Sequence, residues 1–192
     1  ISVLEQAAQI YRSQGNQFQQ AVTLSNLSLA YKQIGKYQQA LSYINQSRKL
    51  LENQLNINES EQKLKIFAQV LDIQANLELK LGKAASALEN WKQATAIYQQ
   101  GNFQNQQIRS LINQSLALQA LGRYQLANQL LKELSPKLKP QPASVIKVAA
   151  LQSFADTQLY LGEIDTSINT LQQSYKIAQE IKSNSQIAQI LL

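Results

Sequence analysis

Neither cysteine nor histidine occurs among the 192 residues. A thiol nucleophile, a thiolate or imidazole metal site, a histidine base and any disulfide are therefore excluded. The acid-base groups that remain include 12 carboxylates, of which only Asp72, Asp156 and Asp165 are aspartates. Asp156 and Glu163 flank a Leu-Gly turn, but paired carboxylates working as acid and base need a shared concave pocket. No pocket is indicated, so the acidic residues read as solvated or ion-paired surface groups. The glycines stand singly, without a phosphate-cradling run or a Walker pattern. Trp91 and the tyrosines fall mostly on packing positions and read as core before stacking platforms. The expectation is a chain without catalysis, cofactor or metal.

The composition, 44% hydrophobic and 16% charged, is ordinary globular material. A formal charge of +6 invites a nucleic-acid or anionic-membrane reading, but the 18 basic residues are scattered, with no run longer than Arg48-Lys49. A nucleic-acid binder would need Lys and Arg to converge on one face with aromatics among them. No apolar run approaches the roughly 18 residues that span a bilayer, and no signal-peptide pattern opens the chain. Neither a nucleic acid nor a membrane is expected as partner, and the compartment is read as cytoplasmic. The chain lacks Met and begins Ile1-Ser2-Val3, which suggests a piece of something longer.

What positions the remaining side chains is a recurring device. Ile34-Gly35-Lys36-Tyr37 returns as Leu81-Gly82-Lys83, Leu121-Gly122-Arg123-Tyr124 and Leu161-Gly162-Glu163-Ile164. Each copy joins two amphipathic helical patterns, the glycine ending the first in a left-handed conformation that suits a residue without Cβ. A small residue follows five positions on: Ala40, Ala87, Ala127 and Ser167. The unit is a helical hairpin. Helical periodicity runs from end to end and strand-like alternation does not persist, so the class is all-α.

Counted from Ala21, Ala68, Ile108 and Val148, every unit has Leu at the fourth position (Leu24, Leu71, Leu111, Leu151) and Ala or Ser at the eighth (Ser28, Ala75, Ser115, Ala155). These offsets, with Gly at the fifteenth position, resemble the tetratricopeptide repeat, a unit of about 34 residues. Helices crossing closely need small residues at the contact and large ones beside it. The resemblance implies a right-handed α-solenoid of antiparallel helical hairpins forming one domain over residues 1–192. It would hold a partial unit at 1–16, units at about 21–54, 68–101, 108–134 and 148–181, and a partial unit at 184–192. Gln74 and Gln114 at the seventh position, Ala84 at the seventeenth and Leu134 at the twenty-seventh depart from the pattern and suggest loosened packing. The glycines stand 47, 40 and 40 residues apart, longer than the family period. Such long repeats, rich in Gln, Asn and Leu, are similar to the arrays of large bacterial proteins, including those preceding a caspase-like CHAT peptidase domain in cyanobacteria.

Between the units, residues 56–60 read as a turn followed by a helix start capped by Ser60, and Gly101-Asn102 as a helix stop. Residues 135–142 hold all three prolines, so a rigid connector is expected there, with Ser144 capping the next helix. The alternative for that stretch is a docking motif for a proline-reading domain. The apolar end at Ile190-Leu191-Leu192 leaves end-to-end dimerisation open.

In the family the first helices line a concave groove. The positions facing it include Asn26, Leu29, Asp72, Asn76, Leu79, Arg109, Asn113, Leu116, Gln152 and Asp156, together with Ser25, Ile73, Ile112, Gln119, Ser153, Leu159 and Tyr160. Asparagine offers a peptide backbone one donor and one acceptor while Leu and Ile take side chains, so a protein or peptide ligand is expected. The family's carboxylate clamp needs Lys at the fifth position, where this chain has Ser25, Asp72, Ile112 and Gln152. The function read from this is a non-catalytic interaction module. A helical-repeat nucleic-acid binder and a peptide-sensing regulator are the alternatives.

Overall fold

The computed structural model describes residues 1–53 and 60–191. They form α1 (Ser2–Ser13), α2 (Gln17–Gln33), α3 (Tyr37–Glu52), α4 (Glu61–Lys80), α5 (Ala84–Gln100), α6 (Gln104–Ala120), α7 (Tyr124–Leu138), α8 (Val145–Tyr160), α9 (Ile164–Glu180) and α10 (Asn184–Leu191). Among the described residues there is no strand. The chain divides into two compact units, Ile1–Gln107 and Ile108–Leu192. The turn expected at Asn56, Ile57, Asn58 and Glu59, and the end residues Gln54 and Leu192 of two expected repeats, lie outside the described residues.

The hairpin turns are built as the sequence indicates. Gly15, Gly35, Gly82, Gly122 and Gly162 all take positive φ. The residue after each donates its N–H back across the helix end, Lys36 to the Tyr31 carbonyl at 2.9 Å and Arg123 to Leu118 at 2.8 Å. This closes carbonyls that a helix end otherwise leaves open. Asn16, Ser60 and Ser144 cap α2, α4 and α8, each side chain accepting from the N–H three residues on.

The helix stop expected at 101–102 is there: α5 ends at Gln100, and Asn102 takes the left-handed conformation at φ 55°. Gly101 is needed for space, since a Cβ there would run into the Phe103 ring. The prolines do not break the chain at 135, because α7 continues through Pro136 to Leu138. Pro136 lies near the C-terminal end of α7, where its missing N–H forgoes a hydrogen bond to the Lys132 carbonyl, and burial outweighs that loss, since Leu134 and Leu138 on either side of it are buried with Ile108, Ile112, Leu131 and Ala150. Lys147 Nζ then donates to the Lys139 and Gln141 carbonyls at 3.3 and 3.0 Å, satisfying the end of α7.

Within hairpins the same repeat positions meet. Ser47 donates to the Ala21 carbonyl at 2.7 Å and Ser174 to the Val148 carbonyl at 3.2 Å, both pairs joining the twenty-seventh position to the first. Ser167 donates to the Ala155 carbonyl at 2.8 Å, joining the twentieth to the eighth. Small residues at these crossings let the backbones approach. Ala87 and Ala127, the equivalents of Ser167, are fully buried. Replacing either by Leu is expected to overpack the crossing and cost about 1–3 kcal/mol. Thermal melts check this, and an unchanged midpoint in both variants would refute the register.

The eleventh position meets the twenty-third. Tyr31 stacks on Tyr43 with centroids 5.2 Å apart, and Gln158 accepts from Thr170 at 2.8 Å. Glu78, which is 7% exposed, accepts from Asn90 at 2.8 Å and from Gln74 at 2.9 Å. Arg48 reaches from α3 to donate to Asn90 and Gln74 at 2.8 and 3.2 Å. This corrects two readings. Glu78 is a core carboxylate, and Gln74 is a buried link in a hydrogen-bonded cluster, where loosened packing was expected.

At the start of the chain the Glu5 carboxylate accepts from the hydroxyls of Tyr31 and Tyr43, at 3.0 and 3.5 Å. The Glu5 hydrogen bond, with desolvation and the negative charge, pushes the Tyr31 hydroxyl up to about 12. A raised phenol gives stability that is intact below the ordinary value of about 10 and is lost as pH climbs through about 12. An alkaline absorbance titration of the eight tyrosines is expected to show a late-ionising phase, and Tyr31→Phe to reduce its amplitude by one tyrosine. An unchanged late amplitude would refute the assignment.

Candidate peptide-binding face

The first helices of the hairpins are α2 and α4 in one unit and α6 and α8 in the other, and each unit has its own candidate face. In the first unit Asn26 and Leu29 are exposed on α2, while Asp72, Asn76 and Leu79 lie half-buried on α4. Asp72 is held in place, accepting the hydroxyl of buried Tyr98 at 2.7 Å. Ser25 is buried and removed from the face. Lys32 on α2 is lowered from its ordinary pKa by desolvation and then by the charge of Lys80 on α4, so the two helices bring their last-turn lysines toward each other.

In the second unit Arg109 and Leu116 are exposed on α6 and Asn113 is half-buried. On α8, Gln152 is half-buried and Asp156 is exposed. Desolvation raises the Asp156 carboxyl above the usual range. Leu159 and Tyr160, at the end of the same helix, are 56% and 61% exposed. The Tyr160 ring stacks on Tyr124 with centroids 4.6 Å apart.

Three residues expected on this face belong to the seam beneath it. Gln119 donates to the Ser153 carbonyl at 2.9 Å and to Thr157 Oγ1 at 2.7 Å. Ser153 shares a 2.7 Å hydrogen bond with Ser115, and Ile112 is buried beside Leu131 and Ala150. These bonds tie α6 to α8, so the face is carried on a fixed pair of helices. The face residues show no arrangement for group transfer. On α6 and α8 they offer amide donors and acceptors, one guanidinium, one carboxylate and exposed Leu and Tyr. Among the described residues no cluster of three or more acidic side chains could hold a metal, and no helix is long and apolar enough to cross a membrane.

No curated protein matches the chain by sequence. Among solved structures, a putative kinesin light chain with TPR-like repeats from Podosopora anserina is similar at 17% identity, with a TM-score of 0.79 over 94% of this chain and 86% of that one. The apo form of RapI is similar at 16% identity and a TM-score of 0.78, over 95% and 66% of the two chains. A signal transduction ATPase with a tetratricopeptide repeat sensor from Pyrococcus horikoshii is similar at 14% identity and a TM-score of 0.75, over 97% of this chain and 28% of that one. A profile of the tetratricopeptide repeat family matches residues 23–65. Residues 23–65 are thus tetratricopeptide repeat by sequence, and the chain they belong to has the helical-hairpin fold of tetratricopeptide repeat proteins.

Proposed function

We propose that the protein is a non-catalytic interaction module that binds a peptide or protein segment on the first helices of its hairpins. The observation that carries this reading is exposure on α6 and α8 of the second unit, where Arg109, Leu116, Asp156, Leu159 and Tyr160 are exposed and Asn113 and Gln152 half-buried. An extended peptide needs spaced donors and acceptors for its backbone and apolar ground for its side chains. A few desolvated anchors supply most of the affinity of such a surface. The first unit offers the same mixture through Asn26, Leu29, Asp72, Asn76 and Leu79. The common hairpin closures in both units support treating residues 1–192 as a single repeat array. The similar sensor segment within a signal transduction ATPase supports a role in recruiting or regulating for an attached domain. A CHAT peptidase is one such domain, and the flanking sequence tests it. Neither a nucleic acid nor a membrane is part of the reading, and a cytoplasmic setting suits it.

Asn113→Ala is expected to weaken a partner recovered by pull-down by about 1 kcal/mol or more, because a buried peptide group would lose its hydrogen bond. Lys92, whose side chain is 57% exposed on the second helix α5, serves as control, and Lys92→Ala is expected to change nothing. Calorimetry with the same partner measures both. Equal effects, or loss only in the control, would move the site off the first helices. Tight, salt-dependent binding of mixed-sequence RNA or DNA, beyond the non-specific range of roughly 10⁻⁴ to 10⁻⁶ M, would favour a nucleic-acid module instead.

A further inference from the structure

The two units each contain a junction where the second helix of one hairpin meets both helices of the next, and the two junctions are filled differently. Between α3, α4 and α5 the corner is occupied by the Arg48 side chain, which reaches Gln74, Asn90 and Gln93, and by buried Phe67 and Val70. Between α7, α8 and α9 the same repeat positions hold Ser135 in place of Arg48, Lys147 in place of Phe67 and Ala150 in place of Val70. The three replacements shorten or redirect the side chains at the corner, while Phe154 in place of Gln74 puts a larger one there. A cavity of about 130 Å³ remains.

The walls of this cavity are mainly apolar, with Leu131, Leu134, Leu138, Ala150, Phe154 and Ile177 outweighing Ser135 and Gln173. Lys139 and Lys147 stand among the lining residues, and no acidic side chain does. Lys147 Nζ spends two donors on the Lys139 and Gln141 carbonyls, which fixes the ammonium in place. A lysine ammonium has three donors, so one is left for an incoming acceptor. A dry apolar cavity of roughly 150 Å³ takes up a guest as small as benzene.

We infer that the α7–α8–α9 junction is a binding site for a small monoanion with an apolar tail of about six carbons, such as a medium-chain carboxylate. The tail occupies the space vacated by the Arg, Phe and Val side chains of the other junction. The carboxylate meets the free donor of Lys147. The site rests on no part of the peptide reading and lies among different residues from the first-helix face.

Calorimetric titration of the 192-residue chain with hexanoate, hexan-1-ol and acetate tests this. Hexanoate is expected to bind one to one with Kd on the order of 1 mM, a value in keeping with its few heavy atoms. Hexan-1-ol is expected to bind at least about fivefold more weakly for want of the charge-assisted hydrogen bond, and acetate to show no saturation. Ala150→Leu, checked for folding by circular dichroism, is expected to abolish hexanoate binding by filling the cavity. Ser135→Leu makes the same test from the opposite, half-exposed wall should Ala150→Leu not fold. Absence of saturable hexanoate binding up to roughly 20 mM, equal affinity for hexan-1-ol, or unchanged binding in a folded filling variant would each overturn the assignment.

Discussion

Trp91→Ala is expected to destabilise the protein by about 3–5 kcal/mol, the range for removing a large aromatic from a core that collapses only in part. Trp91 is the only tryptophan, and it is 0% exposed. It occupies the twenty-fourth position of its repeat, where Ile44 and Leu131 are buried in theirs. The hairpin it completes is therefore built around a side chain far larger than its equivalents, and truncation leaves the neighbours unsupported. Denaturant unfolding followed by far-ultraviolet circular dichroism measures the loss. A cost below about 1 kcal/mol would mean that the site relaxes or that Trp91 is not in the core.

Asn90→Ala carries the second large expectation, about 3 kcal/mol, through a different mechanism. The Asn90 side chain stands between two charges, donating to the Glu78 carboxylate and accepting from the Arg48 guanidinium, both at 2.8 Å. Its removal leaves a carboxylate oxygen without its donor in a buried site, and the penalty for such a group exceeds the net worth of the bond itself. Replacing Glu78 as well removes the stranded acceptor. In the double variant Asn90→Ala with Glu78→Leu the two costs are thus expected to fall short of additivity by at least about 1 kcal/mol. Strict additivity would show that the cluster does not act as a unit.

Much of this architecture is written locally in the chain. The Leu-Gly pairs announce the turns because only a residue without Cβ takes the left-handed position cheaply, and Gly35, Gly82, Gly122 and Gly162 all do so. Where another residue performs that task the signal is weaker. Asn102 and Lys182 adopt positive φ with no glycine at that position to mark them. The helical run through Pro136 depends on Leu134 and Leu138 being buried against neighbouring helices, a tertiary effect that outweighs a local breaker. Glu78 was misread for a similar reason. Gln74 stands four residues before it on one helix face, but Asn90 reaches it from another helix, and Arg48 joins the cluster through Asn90 and Gln74.

The candidate face divides in the same way. Repeat phase picks out Asn26, Leu29, Arg109, Leu116 and Asp156, all of them exposed on first helices. It could not separate them from Ser153, Gln119 and Ile112, which hold helix to helix beneath the surface. Periodicity gives the side of a helix, whereas neighbouring helices decide how much of that side stays open. The cavity at the α7–α8–α9 junction lies beyond local reading altogether. It appears only when Ser135, Lys147 and Ala150 are compared with the residues at their equivalents in another repeat.

The most direct test of the binding role is nuclear magnetic resonance mapping of backbone amides during titration with a peptide segment from a captured partner. Binding on the first helices predicts that the perturbed amides fall on α2, α4, α6 and α8, centred in the second unit on Arg109, Asn113, Leu116, Gln152 and Asp156. Perturbations confined to the outward residues of α3, α5, α7 and α9, with those five amides unmoved, would contradict it.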